Sequence, residues 1–234
     1  MTEQSGTALA DLMAGMAASF NQPVPLAELL DTIVRAGRES IPGVQHAGIS
    51  LTHAHGRIET VAATGAIVGR IDTIQYGLGE GPCVDAVRNR RQSWSNHLAQ
   101  DARWPRFGPQ AEALGIRSQM GIALFDEPDV VGVLNLYSSA ADAFDEQTPG
   151  VAAIFATHAA HALGRTLKLD QLTEALTTRR TIGIAIGLVM ERYGLSEQRA
   201  FQFLIRTSQA GNVKLREVAD QLVAESDRRA QPRG

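Results

Sequence analysis

The chain has 234 residues, of which 44% are hydrophobic and 20% are charged, and this composition is typical of a globular protein. No apolar run is long enough to cross a bilayer, and the N-terminal Met-Thr-Glu-Gln lacks the cationic leader of a signal peptide. A single cysteine, Cys83, excludes an internal disulfide framework. We therefore expect a cytoplasmic protein, and the length favours two domains.

The two parts of the chain carry opposite charge. Residues 1–164 contain 10 Lys and Arg against 17 Asp and Glu, a net charge of −7, whereas residues 165–234 contain 12 against 8, a net charge of +4. Such a split favours an acidic regulatory part followed by a basic part that binds nucleic acid.

The first predicted elements are helical. Residues 7–20 place six apolar side chains on one stripe, which predicts a helix that either packs into a core or forms a dimer interface. These side chains are Leu9, Leu12, Met13, Met16, Ala17 and Phe20. A second helix is predicted from Leu26 to Ser40, where Pro42-Gly43 stops it.

From Val44 the apolar period changes to that of strands. Segments 46–52 and 57–63 flank His53-Ala54-His55-Gly56, which predicts a hairpin, and residues 91–95 predict a third strand. Two further strands, 119–125 and 130–137, are joined by a turn at residues 126–129. Helix-prone pieces at 82–90 and 106–114 interrupt an otherwise irregular middle. The order predicts an α+β domain, an antiparallel sheet with helices on one side.

Several short sequences in this region resemble the GAF family of small-molecule and signalling sensors. They are Gly79-Glu80-Gly81-Pro82-Cys83, Asp101 with Arg103-Trp104-Pro105, Gly115 to Ser118, and Gly132 to Tyr137. The resemblance implies a sensor domain at residues 23–164 that follows an N-terminal helix at residues 1–22. No cofactor is evident, and an unidentified small molecule is the expected ligand, with Gly79, Cys83, Trp94 and Met120 as candidate contacts.

The glycine-rich segment Gly77 to Pro82 leads into a helix but lacks the Lys-Ser/Thr of a phosphate loop, and Glu80 would repel phosphate. It predicts a tight turn with Pro82 at the first helical position. Cys83 follows near a helix N-terminus, where a thiolate would be stabilised, although the neighbouring acids favour a buried, unreactive thiol. We interpret Arg103-Trp104-Pro105-Arg106 as capping the sensor's pocket or packing on its sheet.

Catalytic and metal-binding sets are missing from the sequence. The pairs His53/His55 and His158/His161 have no third ligand, so no metal site is predicted. Neither a nucleophile elbow nor a complete nucleotide fingerprint occurs. The sequence therefore predicts no enzyme, although an enzyme built on the sensor pocket is one alternative.

No strong helix breaker occurs between Pro149-Gly150 and Arg192. Apolar residues keep approximate heptad spacing along this stretch, which predicts one long helix that joins the domains and pairs with its copy in a homodimer. The alternative is that Gly164 or Thr177-Thr178 divides it. The seam consists of Val151, Phe155, His158, Ala162, Leu169, Leu172 and Leu176.

The last sixty or so residues predict three consecutive helices, at Arg179 to Met190, Ser196 to Gln209 and Lys214 to Glu225. Gly194 breaks the first from the second. In the middle helix we expect Phe201 and Leu204 to face the core. A tail at residues 227–234 is expected to be flexible.

This region resembles an ANTAR domain over residues 165–226, which implies binding of RNA hairpins and prevention of premature transcription termination. Ile186 and Ile205 depart from the family, since many members carry Lys and Arg there. The matched residues are Ala175-Leu176, Arg179, Ile182, Ala185, Gly187, Met190, Ala200-Phe201, Leu204, Arg206, Ser208-Gln209, Lys214-Leu215 and Val218-Ala219.

The basic side chains of the three helices are the candidate RNA contacts. Cations hold phosphates while amide side chains read base edges, and a helix N-terminus adds a partial positive charge. Gly187 would permit a close approach of RNA or of another helix. The predicted RNA-binding residues are Arg179, Arg180, Gly187, Arg206, Gln209, Asn212, Lys214 and Arg216.

The expected partners are hairpins in the leader of a nascent transcript and a second copy of the chain, with RNA polymerase nearby. Neither a membrane nor DNA is expected. An alternative class is a signal-responsive module whose C-terminal helices bind a protein instead of RNA.

Overall fold

The computed structural model describes residue 20 and residues 24–52, 56–89, 91–127 and 130–230. The chain divides into two compact units, Met1–Leu167 and Lys168–Gly234. The helix predicted at residues 7–20 lies outside the described residues except for Phe20. The Phe20 ring is buried and meets the Phe155 ring edge to face, with ring centroids 5.9 Å apart.

The first unit alternates helices and strands in the order that the sequence predicts, with one addition. Its helices are α1 (Leu26–Ser40), α2 (Ala66–Leu78), α3 (Pro82–Asn89) and α4 (Phe107–Ala113). Its strands are β1 (His46–Thr52), β2 (Ile58–Ala63), β3 (Ser93–Ser95), β4 (Ser118–Glu127) and β5 (Val130–Ser138).

The five strands form one antiparallel sheet in the order β2-β1-β5-β4-β3. Strand β5 lies at the centre and pairs with β1 and β4. The predicted hairpin of β1 and β2 is confirmed by their antiparallel pairing, while residues 53–55 of its loop lie outside the described residues.

Helices cover both faces of the sheet, so the prediction of helices on one side is wrong. The physical reason is visible in residues 133–138 of β5, whose successive side chains point to opposite faces and are nevertheless all buried. Leu134 and Leu136 pack with α1 and with the long helix that follows the sheet, whereas Tyr137 packs with α2 and α4.

Helix α2 occupies part of the middle region for which the sequence predicts irregular structure. Two interior glycines and several β-branched residues lower its intrinsic helix propensity. Packing compensates, because Val68 and Ile71 are buried against Trp104 and Phe107. The helix ends at Gly79, which has φ of 65°, and Pro82 opens α3 at the predicted first helical position.

The predicted uninterrupted helix is confirmed, since α5 runs from Thr148 to Tyr193 without a break at Gly164 or Thr177-Thr178. Its first part lies in the first unit, where Phe155 and Ala162 are buried in that unit's core. These two residues of the predicted dimer seam therefore pack inside the first unit and are not free to contact a second copy of the chain.

The second unit contains the end of α5 together with α6 (Glu197–Gly211) and α7 (Leu215–Ala230). The three helices match the predicted ones. Gly194, with φ of 63°, separates α5 from α6, and Asn212, with φ of 50°, ends α6. Both residues adopt the left-handed conformation that commonly terminates helices.

Candidate nucleic-acid interface

The second unit has a small core made mostly of alanine, valine and leucine. Ala185 and Val189 of α5 meet Ala200 and Leu204 of α6, and α7 contributes Val218 and Ala219. Small side chains at the contacts allow three short helices to approach closely. The polar side chains are consequently left on the outside of the unit.

Phe201 does not face this core as predicted, because it is 37% exposed while Leu204 is fully buried. The buried line of α6 passes through Ala200 and Leu204, and a residue next to Ala200 is turned about 100° away from it. This rotation places Phe201 on a flank of α6, beside the buried line.

Two predicted phosphate ligands, Arg179 and Arg216, line the same shallow cleft between α5 and α7. Arg216 Nη1 lies 2.6 Å from Glu174 Oε1, so this guanidinium is paired with an acid of its own chain. The side chains of Arg216 and Glu174 are about half exposed, and exposed ion pairs contribute little to stability. An approaching phosphate would compete with Glu174 for Arg216.

Arg180 and Arg206 are exposed and lie outside that cleft. Arg206 follows Leu204 by two residues, which turns it roughly 200° around α6 from the buried side. Of the five predicted cations, Arg179 and Arg216 are therefore the two that line this cleft.

The turn between α6 and α7 brings together three predicted contacts, Gln209, Asn212 and Lys214, all exposed. Ser208 fixes the turn, since its hydroxyl donates to Val213 O at 2.6 Å and its carbonyl accepts from Val213 N at 3.0 Å. The carbonyl of Lys214 accepts the first helical hydrogen bonds of α7. Lys214 thus lies at a helix N-terminus, where the backbone favours anions.

Gly187 is exposed, and a methyl group built on it would meet nothing within 4 Å. No contact with the residues that the structure describes therefore requires glycine at this position. Ile186, one of the two departures from the family, packs at the edge of the core, and Ile205 is half-buried.

In the sensor unit, the four candidate ligand contacts do not converge on one cavity. Trp94 and Met120 are directly paired between β3 and β4 and lie on the α1 side of the sheet. Cys83 is buried on the opposite side with Val133, and Gly79 forms the end of α2. Their binding role stays a prediction.

A buried hydrogen-bond network that the sequence did not predict lies between the sheet and α2. Asp72 accepts hydrogen bonds from Tyr137 Oη, from Thr60 Oγ1 at 2.7 Å and from Gln75 Nε2 at 3.2 Å. Burial raises the pKa of Asp72 from 3.8 to about 6, although these hydrogen bonds act in the opposite direction. The network has a second branch through Tyr76, Ser50 and Asn135.

Three sensor residues that the sequence singled out, Cys83, Glu80 and Trp104, are held by burial or by hydrogen bonds within the unit. Burial raises the pKa of Cys83 to about 12, which agrees with an unreactive thiol. Glu80 accepts the backbone N–H groups of Arg106 and Phe107 at the start of α4, at 2.9 and 3.1 Å, and Arg106 Nε lies 2.6 Å from it. Trp104 is buried and donates to Asp85 at 3.0 Å, as its expected packing role requires.

Among the described residues, no helix combines the length and the apolar character needed to span a bilayer. The same part of the chain brings no three His, Cys, Asp or Glu side chains together as potential metal ligands.

The fold and the site define a class of protein in which an antiparallel sensor-type domain is followed by an exposed, cation-bearing helical module. Family models agree with this class, since a GAF domain matches residues 24–164 and an ANTAR domain matches residues 170–223. The chain belongs to the GAF domain family and, with its ANTAR domain, is a GAF–ANTAR regulator. Both matched domains are regulatory rather than catalytic.

Solved structures match the sensor unit. GAF domains of phosphoenolpyruvate-protein phosphotransferases from Coxiella burnetii and Acinetobacter are each 15% identical, with TM-scores of 0.54. Each match covers 70% of this chain, and 98% and 97% of those chains. A free methionine-R-sulfoxide reductase from Thermoplasma acidophilum is 15% identical over 60% of this chain and 94% of its own, with a TM-score of 0.48. No curated protein matches the chain.

Proposed function

We propose that this GAF–ANTAR regulator binds hairpin loops of nascent RNA through its C-terminal unit and thereby prevents a terminator from folding. The ANTAR match over residues 170–223 carries this proposal. It is supported by the exposure of every cation and amide that the sequence assigns to RNA. Positive side chains would hold phosphates, and the turn carrying Gln209 and Asn212 would present amides to unpaired base edges.

We further propose that two copies act together. Ten consecutive residues of α5, from 168 to 177, are exposed, and an isolated helical stretch of this length is marginal in water. Leu169, Leu172 and Leu176 are 53%, 54% and 68% exposed at heptad-like spacing. Pairing this stretch with its copy would cover all three leucines and hold two RNA-binding units in one dimer.

The sensor domain would gate this activity. Gln119 is fully buried, and its side-chain amide has no hydrogen-bond partner among the described residues. A small polar ligand that reached the sheet at Gln119 would therefore gain hydrogen bonds that the protein alone does not make.

Helix α5, which begins in the sensor unit and ends in the RNA-binding unit, would carry the signal, and RNA polymerase would be the neighbour of the captured transcript.

The test is to isolate RNA crosslinked to the purified full-length protein. We expect hairpins from transcript leaders, and their recovery should be lost with Arg206→Glu or Lys214→Glu. Arg70→Glu, an equal charge change on an exposed side chain of the sensor unit, should leave recovery unchanged. Equal recovery with all three variants would contradict the proposed site.

One observation favours a protein partner as the second candidate function. Besides the leucines of α5, the C-terminal unit exposes Ile184, Phe201 and Phe203 by about 40%. Large apolar side chains left exposed on a surface are one sign of a protein interface. A pull-down that retains a protein after nuclease treatment, and no RNA before it, would favour this alternative.

A further inference from the structure

Two exposed aromatic rings lie side by side on the C-terminal unit. Tyr193 at the end of α5 is 54% exposed, and Phe203 of α6 is 39% exposed. Their centroids are 5.4 Å apart and the rings are tilted by 39°. Two neighbouring exposed rings give up the hydrophobic stabilisation that burial in a core would supply. A function at the surface accounts for this arrangement better than packing does.

The rings border a cleft of about 430 Å³, which lies in the range of roughly 300–1,000 Å³ typical of ligand pockets. Leu188, Val189 and Leu222 supply apolar lining, while polar groups such as Gln221 and Thr207 supply hydrogen-bonding atoms. Planar ligands with polar edges suit such a cleft, because their faces stack on rings while their edges need donors and acceptors.

The lining of the cleft is balanced in charge, with Arg192 and Arg229 against Glu191 and Glu225, and the positive excess that favours a phosphate comes from two arginines beside it. The guanidinium carbon of Arg192 lies 5.9 Å from the centroid of the Tyr193 ring. Arg199 and Arg206 are four residues before and three residues after Phe203, which places them on the same flank of α6. Neither makes an ion pair with any residue that the structure describes. Within the lining, Arg229 pairs with Glu225.

We infer that Tyr193 and Phe203 form a stacking platform for one unpaired base of the bound RNA, with Arg192, Arg199 and Arg206 holding the adjoining phosphates. This inference rests on the proposed function and assigns one flank of the unit to a splayed loop base. Single-stranded bases stack on aromatic rings and on guanidinium planes, and every base offers a face for such stacking.

The platform is distinct from the other exposed phenylalanine of α6. Phe201 is 37% exposed, close to the 39% of Phe203, but two residues of separation turn the two rings roughly 200° apart around the helix. Phe201→Leu is therefore a control that matches Phe203→Leu in chemistry, exposure and helix, and differs only in the flank that it changes.

The experiment measures the affinity of the full-length protein for a hairpin RNA selected, by binding to the wild-type chain, from a pool with one stem and a randomised loop. Tyr193→Leu and Phe203→Leu should each weaken binding by about 5-fold to 150-fold, because one base–aromatic stack is worth about 1–3 kcal/mol. The salt dependence should stay unchanged, since no phosphate contact is lost. Tyr193→Phe, which keeps the ring, and Phe201→Leu should bind as the wild type does.

A second readout identifies the base directly. With 2-aminopurine placed at successive loop positions, one position should lose fluorescence on binding to the wild type, through stacking, and recover it with Phe203→Leu. If the wild type binds the hairpin and both leucine variants bind equally well, the platform is refuted while the proposed function stands.

If the wild-type chain selects no hairpin from the pool, both the proposed function and the platform fail. If the leucine variants instead change the sedimentation of the RNA-free protein, the rings belong to a protein interface and the inference is overturned.

Discussion

Replacing Asp72 by Asn tests the electrostatics of the sensor interior. In the folded protein the pKa of Asp72 is raised from 3.8 to about 6, mainly by burial. The folded state therefore binds an extra proton between about pH 4 and about pH 6, and the free energy of unfolding falls as pH rises through this window. Above about pH 7 the loss is complete. At 1.36 kcal/mol per pKa unit, the cost of the charged carboxylate is about 3 kcal/mol.

Asp72→Asn removes this titration. The free energy of unfolding of the variant, minus that of the wild type, should therefore rise by up to about 3 kcal/mol between about pH 4 and about pH 7 and stay constant above that. Urea unfolding followed by tryptophan fluorescence measures the sensor unit alone, because Trp94 and Trp104 are the only tryptophans. Comparing variant with wild type at each pH cancels other titrations, including that of His46, whose pKa is lowered.

Asp101→Asn is the matched control, since the hydrogen bonds from Arg103 lower the pKa of Asp101 to about 2. Its effect on stability should not vary between about pH 5 and about pH 7. A constant difference between Asp72→Asn and the wild type across the same range would refute the reasoning about the buried carboxyl.

Three further predictions concern single features of the two units. Gly187→Ala should raise the free energy of unfolding of the C-terminal unit by about 1 kcal/mol, because the space around Gly187 is open. If Gly187→Ala binds RNA more weakly than the wild type and Gly183→Ala does not, at a temperature where both variants are folded, RNA approaches the chain closely at Gly187. Leu172→Glu with Leu176→Glu should convert a dimer into monomers in sedimentation equilibrium, and an unchanged mass would place the dimer contact elsewhere. Cys83 should resist a disulfide-exchange reagent until the protein unfolds, since the thiol is fully buried; rapid labelling of the native protein would contradict this.

Most of the fold could be predicted from local patterns. The strand alternation of β1 and β2, the stop at Pro42-Gly43 and the helix period of α6 and α7 depend on near neighbours in the sequence. Helix α2 could not be predicted in this way, because its glycines and β-branched residues oppose a helix and only burial of Val68 and Ile71 overrides them. The covering of both sheet faces was likewise a tertiary property, although apolar residues at consecutive positions of β5, such as Val133 and Leu134, indicated it.

The candidate site was predicted as a set of residue types, and the structure changed how they are arranged. Lys214, Asn212 and Gln209 meet at one turn, which their closeness in sequence suggested. The pairing of Arg216 with Glu174 joins residues 42 positions apart, so no local pattern revealed it. The exposure of Phe203 next to Tyr193 was missed because helical spacing identifies the buried line of α6 but not what lies beside each flank.

The most direct test of RNA binding is the salt dependence of hairpin affinity for the full-length protein. If about four phosphates are neutralised, the logarithm of the affinity should fall with the logarithm of the salt concentration at a slope of about −3. Arg206→Glu should make that slope shallower, by about one unit or more. A flat salt response of the wild type, or a slope that Arg206→Glu leaves unchanged, would contradict the account.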